Sequence, residues 1–321
     1  MNQYNKAAPL LLFTYNRPEH TEKVLRSIQQ AELADQTNLI IHSDGPKDEK
    51  DFLKVSEVRR LLRSRKWCGQ VKIYESEKNK GLAESIISMV SDTIKEFKSV
   101  IVLEDDIVIA PVFIKYMQTA LVMYENENEL ACIQGHTFPV KELPSEYFLK
   151  SAHCWGWATW ERAWKIFDRD GKGLLEKLEK KHLENEFDYE GAMGFVQMLR
   201  DQISGKNQSW AILWRASVYL HNKLSLYPGK TLIKNIGMDN SGTHCTTNRG
   251  LVANQKLPKT FSFEKLPVVE TEEAKRKIIV WLKERQKKDN DRYQSRLWFN
   301  RKKKSFYFRF FRIWKFICGI K

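Results

Sequence analysis

Val100-Ile101-Val102-Leu103-Glu104-Asp105-Asp106-Ile107 decides how this chain is read: four apolar residues of the buried-strand type run directly into three consecutive carboxylates. A strand without a polar face belongs inside a sheet covered on both sides, and open α/β sheets bind ligands at the carboxyl ends of their strands. Hard carboxylate oxygens at such an end suit Mg2+ or Mn2+ bridging to a diphosphate. An acidic turn that merely capped the next helix would need one acid rather than three.

Outward from that strand, the preceding hundred residues switch between two periods. Residues 9–13, 38–42 and 71–74 read as strands, and residues 18–31, 52–62 and 82–97 as helices with one apolar face. This βαβα order with short connections predicts an α/β fold with a doubly wound, mostly parallel sheet. Later come a helix near 112–124, a strand at 131–134, a Trp-rich stretch, and helices near 191–204 and 210–222. The 321 residues allow one large elaborated domain or two. No repeat or low-complexity linker precedes the tail, so one main domain is expected over residues 1–260, followed by an amphipathic region at 261–321.

Composition is ordinary for a globular protein, with 42% hydrophobic and 29% charged residues. Five cysteines without a Cys-x-x-Cys signal neither a disulfide framework nor a zinc site, and a reducing compartment fits them. Residues 1–8 are polar and lead into too few apolar residues for a signal-peptide core or a membrane span. Ten units of the +14 net charge come from Arg292 to Lys321, which contains no acid, leaving +4 for the rest. There Arg309, Arg312 and Lys315 interleave with Trp298, Phe306, Phe308, Phe311 and Trp314. That pattern predicts a helix lying on an anionic membrane surface, ahead of docking on its own domain or binding nucleic acid.

The other strands of the sheet also end in polar residues. The first ends in Thr14-Tyr15-Asn16-Arg17-Pro18, where Asn16 suits a helix cap and Arg17 suits a phosphate. The second ends in Ser43-Asp44-Gly45-Pro46, a turn whose Asp would equally accept from a base or ribose. Asn79-Lys80-Gly81-Leu82 offers a cation and a glycine that lets backbone approach a ligand. All four edges face the same rim.

These segments, with Glu104-Asp105-Asp106, resemble in order and approximate spacing the GT-A glycosyltransferases. The likeness is to bacterial family 2 glycosyltransferases and the N-acetylglucosaminyltransferase I type, whose metal motif is also Glu-Asp-Asp. It is strong over residues 8–110 and weaker to about 250. The resemblance implies a nucleotide-sugar-binding half at 8–110 and an acceptor and catalytic half at 111–260. By it, Thr14, Tyr15, Asn16, Arg17 and Asp44 would hold the nucleotide, with Asn79 and Glu104 in the same set. Lys80 and Gly81 would contact ribose or phosphate, Asp105 would lie near the donor ribose and sugar, and Asp106 would be the main ligand of Mn2+ or Mg2+.

In the second half, Cys154-Trp155-Gly156-Trp157-Ala158-Thr159-Trp160 is similar to the family segment that walls the donor sugar or receives the acceptor, and indole faces do stack on sugars. Trp155, Gly156 and Trp157 are the expected contacts. Residues 235–244 resemble a late loop in which a His approaches the metal, here His244. Inverting transfer needs a carboxylate base. Relatives place an Asp beside a Ser-Trp pair, whereas this chain reads Asn207-Gln208-Ser209-Trp210, so Asp201 is the first candidate, with Glu190 and Asp239 as substitutes.

The expected activity is metal-dependent transfer of a sugar from a UDP-linked donor to a saccharide or lipid-linked acceptor in cell-surface polysaccharide synthesis. The expected place is the cytoplasmic face of the cell membrane, with no nucleic acid partner. A nucleotidyltransferase would open with a Gly-rich loop after the first strand, which is missing here, and a non-catalytic saccharide or nucleic-acid binder would have little use for three aligned acids.

Overall fold

The computed structural model describes residues 7–239 and 256–292. Its first half is β1 (Leu10–Thr14), α1 (Pro18–Gln29), β2 (Asn38–Ser43), α2 (Glu49–Arg63), β3 (Gln70–Glu75), α3 (Leu82–Phe97) and β4 (Ser99–Glu104). Then follow β5 (Ile107–Ile109), α4 (Phe113–Met123), β6 (Leu130–Gln134), β7 (Glu146–Leu149), β8 (Trp157–Trp160), α5 (Glu161–Trp164), α6 (Gly171–Lys180) and α7 (Glu184–Phe187). The second half closes with α8 (Phe195–Ile203), α9 (Trp210–Leu220), β9 (Leu224–Pro228) and β10 (Ile233–Asn235). A last helix, α10, spans 272–292.

Eight strands form one sheet in the order β3-β2-β1-β4-β8-β6-β9-β7, and β5 pairs with β10 in a two-stranded sheet. The chain winds from β1 outward through β2 and β3, then returns to place β4 on the other flank of β1. All three pairings of this half are parallel. The crevice between the carboxyl ends of β1 and β4 is therefore a topological switch point, where open α/β sheets take their ligands. Leu10, Leu11, Leu12, Ile101 and Leu103 are wholly buried, as strands covered on both faces require. Helix α3 turns Ile86, Val90 and Ile94 inward, each contributing roughly 1.5–3 kcal/mol as an upper estimate.

Beyond β4 the sheet is mixed: β8 runs antiparallel to both β4 and β6. The Trp-rich stretch is in part an interior strand. Trp157 is fully buried, and its ring lies 5.4–6.1 Å from those of Trp164, Trp210 and Trp214. Residues 261–292, the described part of the stretch read as an amphipathic region, pack on the domain. Phe261 and Phe263 pack edge-on against Tyr116. Thr271 exchanges hydrogen bonds with the backbone of Phe148 in edge strand β7, and Glu270 accepts from Lys150 N. Helix α10 buries Ala274, Ile278, Ile279 and Leu282 beside Phe138 and Tyr189. No helix among the described residues is long and apolar enough to cross a membrane. The basic aromatic tail from 293 lies outside the described residues.

Candidate active site

Arg17 follows β1, Glu104 ends β4, and Asp105 and Asp106 form the turn into β5, so the switch point collects one cation and three acids. Arg17 Nη2 donates to both Asp105 Oδ1 and Asp106 Oδ2, the latter at 3.1 Å. Strand β10 brings a loop over this pair: Ile236 N donates to the Asp106 carbonyl at 2.9 Å, and Gly237 N to Asn235 Oδ1 at 2.8 Å. Gly237 lies close against this pair: a Cβ there would sit 2.2 Å from Asp106 Oδ2 and 3.0 Å from Arg17 Nη1, so a side chain would displace one or the other.

Burial pushes the Glu104 carboxyl up to about 8, with Asp106 and then Asp105 adding to it and Arg17 opposing. Burial also raises Asp105, against the pull of Arg17. Burial weakens the Arg17 charge, but Asp105 and Asp106 outweigh it and hold the guanidinium firmly protonated. Two atoms are buried without partners, Arg17 Nη1 and Asp105 Oδ2. The donor set fits a hard divalent cation, since the acids are charge-crowded and one oxygen lacks any donor. Among the described residues no three His, Cys, Asp or Glu side chains form a ready cage. Mg2+-type sites, however, use one or two carboxylates and complete themselves with phosphate and water. Asp106 and Asp105 would hold the ion.

The flanking residues divide sharply between the rim and the framework. The Asp44 carboxylate accepts from Gly45 N, Asn79 Nδ2, Lys80 N and Gly81 N at 2.9–3.2 Å. It ties the 79–81 loop to the end of β2 rather than standing open to a nucleotide. Arg59 of α2 braces the same corner, donating to the carbonyls of Ser43, Asp44 and Ser76. Thr14 is buried and donates to the His42 carbonyl. Tyr15 Oη and Asn16 Nδ2 both donate to Asp51 of α2. Hydrogen bonds from Tyr15, then Asn16, hold the Asp51 carboxyl below its usual range. Asn16 therefore does not cap α1: Arg17 holds the cap position without a side-chain bond, and Pro18 supplies the first turn. Lys80 is exposed, and Gly81, at φ +77°, leaves open space where a side chain would stand, with only Gln208 Oε1 at 3.9 Å.

Trp155 is half-buried, its ring 4.9 Å from His136, and the Gly156 carbonyl accepts from Gly135 N. Trp157 offers no face to a ligand, and its expected sugar contact is corrected to a core role because its ring fills the tryptophan cluster. Of the expected bases, Asp239 sits two residues beyond Gly237 and pairs with His20 of α1 at 3.1 Å. Asp201 binds Gln197 and Lys206 and accepts from the backbone of Lys206 and Asn207, at the start of the loop that carries Gln208. Glu190 is exposed and pairs with Lys283 of α10. Neither Asp201 nor Glu190 makes a hydrogen bond or ion pair to the acidic run among the described residues. His244 lies outside the described residues. Sequence reasoning missed Asp51 and Arg59, since nothing in an exposed helical segment marks them as partners of strand ends. Gly237 was visible only as part of a polar loop.

No protein-family profile and no curated protein matches the chain. Among solved structures it is similar to a mannosyltransferase from Pyrobaculum calidifontis in complex with GDP-Man and Mn2+, at 13% identity over 67% of this chain and 70% of that one, TM-score 0.38. It is also similar to TarS of S. aureus, at 15% identity over 39% of this chain and 21% of that one, TM-score 0.26.

Proposed function

We propose that this chain is a metal-dependent glycosyltransferase that uses a nucleotide diphosphate sugar. The observation that carries the reading is the convergence of Arg17, Asp105 and Asp106 at the switch point between β1 and β4, with an unpartnered nitrogen on the cation and an unpartnered oxygen on an acid. A diphosphate with its Mn2+ or Mg2+ answers both vacant partners. The likeness to GT-A glycosyltransferases over residues 8–110 supports the same reading and adds the UDP-linked donor and inversion at the anomeric carbon.

In this account Asp106, with Asp105, holds the cation, which when bound supplies positive charge to the departing diphosphate. Arg17 and Lys80 neutralise phosphate oxygens, and Gly81 lets the backbone approach the nucleotide. The Asp44–Asn79–Gly81 hydrogen bonds fix the shape of that loop before the ligand arrives, so little ordering is left to binding. Trp155 walls the sugar. A carboxylate takes the acceptor proton, and Asp239 is the candidate whose loop lies over Asp106. The acceptor is a saccharide or lipid-linked saccharide. The basic tail from Arg292 holds the enzyme against the inner face of the cell membrane, and residues 1–260 form the catalytic domain.

Thermal stability against a panel of nucleotide sugars, with Mn2+ and with chelator, tests this, because a ligand of the folded state raises the midpoint. One nucleotide sugar should raise it only with metal, and Asp106→Ala should abolish the rise. No shift from any nucleotide sugar under either condition would refute the reading.

A further inference from the structure

Arg17 stands between the two acids that the cation of the proposed reaction must reach. Its Nη2 bridges Asp105 Oδ1 and Asp106 Oδ2, so one positive group already joins the two carboxylates. The arrangement is nevertheless incomplete on both sides: Nη1 of the same guanidinium is buried without an acceptor, and Asp105 Oδ2 is buried without a donor. The loop above is tight, since a Cβ at Gly237 would meet both Asp106 Oδ2 and Arg17 Nη1. Arg17 Nη2 already holds one oxygen of each carboxylate, so an ion bound by the two acids competes with the guanidinium.

A divalent ion arriving alone would expel Arg17 from its acids and leave a buried guanidinium unpaired. A diphosphate arriving alone would bring its negative charge against the three consecutive carboxylates of Glu104, Asp105 and Asp106, with only the Arg17 guanidinium to offset it. Diphosphate and cation together cancel both costs.

We propose that Arg17 is a built-in counter-cation of the donor-free protein, and that cation and diphosphate bind as a unit, the phosphate capturing the guanidinium as the ion takes over the carboxylates. This rests on the nucleotide-sugar reading of the same site and adds to it an order of binding and a cause for that order.

The test is Mn2+ affinity, read by paramagnetic resonance of the free ion, for wild type, Arg17→Lys and Arg17→Met, each alone and with saturating UDP or GDP. Wild type should bind Mn2+ at least about tenfold more tightly when the nucleotide is present. Arg17→Lys keeps the charge, but its ammonium ends one bond short of Nη2 and lacks the planar fork. It should therefore bind Mn2+ alone at least about tenfold more tightly than wild type and lose most of the nucleotide dependence. Equal Mn2+ affinity of wild type with and without a bound nucleotide would overturn the inference and leave the nucleotide-sugar reading standing. So would an Arg17→Lys variant that matches wild type while Arg17→Met alone tightens, since Arg17 would then act through its field and not its place. Failure of both nucleotides to bind under every condition would remove the nucleotide-sugar reading, and the inference with it.

Discussion

Asp44 offers a decision between two roles, because the resemblance makes it a nucleotide ligand whereas the structure makes it a brace. Its side chain is 6% exposed and its carboxylate accepts from four donors, of which three are backbone N–H groups. Asp44→Ala orphans all four. Asn79 and Gly81 are only half-buried and Lys80 is exposed, so water re-solvates part of the loss and each donor belongs at the low end of the usual cost, near 1 kcal/mol. The expected destabilisation is therefore about 4 kcal/mol, and about 2 for Asp44→Asn, which keeps one acceptor oxygen but turns an amide toward backbone donors. Urea unfolding followed by fluorescence of the ten tryptophans measures this directly, with the slope unchanged because the same surface is exposed. A variant within about 0.5 kcal/mol of wild type that nevertheless loses nucleotide binding would refute the brace and restore the ligand role.

Gly237→Ala should push the loop off Asp106 by about 1 Å, a misplacement worth about 100-fold in turnover, with Mn2+-dependent nucleotide affinity falling alongside it while urea stability changes little. Trp157→Ala should cost about 3–5 kcal/mol in the same unfolding assay, because it opens a cavity among Trp164, Trp210 and Trp214. Burial among the rings of Phe138, His153 and Trp155 holds the His136 imidazole down to about 4. The unfolded chain takes that proton from about pH 6.5 downward while the folded chain refuses it, so stability falls with pH through this window, by about 2–3 kcal/mol at pH 4.5. His136→Gln should flatten that part of the stability profile between pH 7 and 4.5.

The first half of the fold was legible because the buried strands β1, β2 and β4 are written as apolar runs, edge strand β3 alternates Val71 and Ile73 with exposed residues, and α1 to α3 repeat their apolar residues at helical spacing. The second half hid its strands. Residues 157–160 carry two tryptophans and read as a ligand wall, yet they form β8 in the middle of the sheet. Strands β5 and β10 are three residues each, too short for a period to show, although their pairing is what closes the loop over Asp106. The acidic run and Arg17 stood out as candidates because their chemistry outruns what a turn needs, and the structure does bring them together. Their direct contact was not legible, since it joins positions 88 and 89 residues apart. Tyr15 and Asn16 were read toward a ligand when Asp51 claims both side chains, a long-range partnership that no local pattern encodes.

The most direct measurement is the anomalous scattering of manganese in crystals grown with Mn2+ and UDP or GDP. One strong peak is expected about 2.0–2.3 Å from an Asp106 carboxylate oxygen, with the diphosphate beside it and the Arg17 guanidinium turned from the acids to the phosphate. A nucleotide bound at the switch point without a metal peak at Asp106, or a metal peak on other residues, would contradict this expectation.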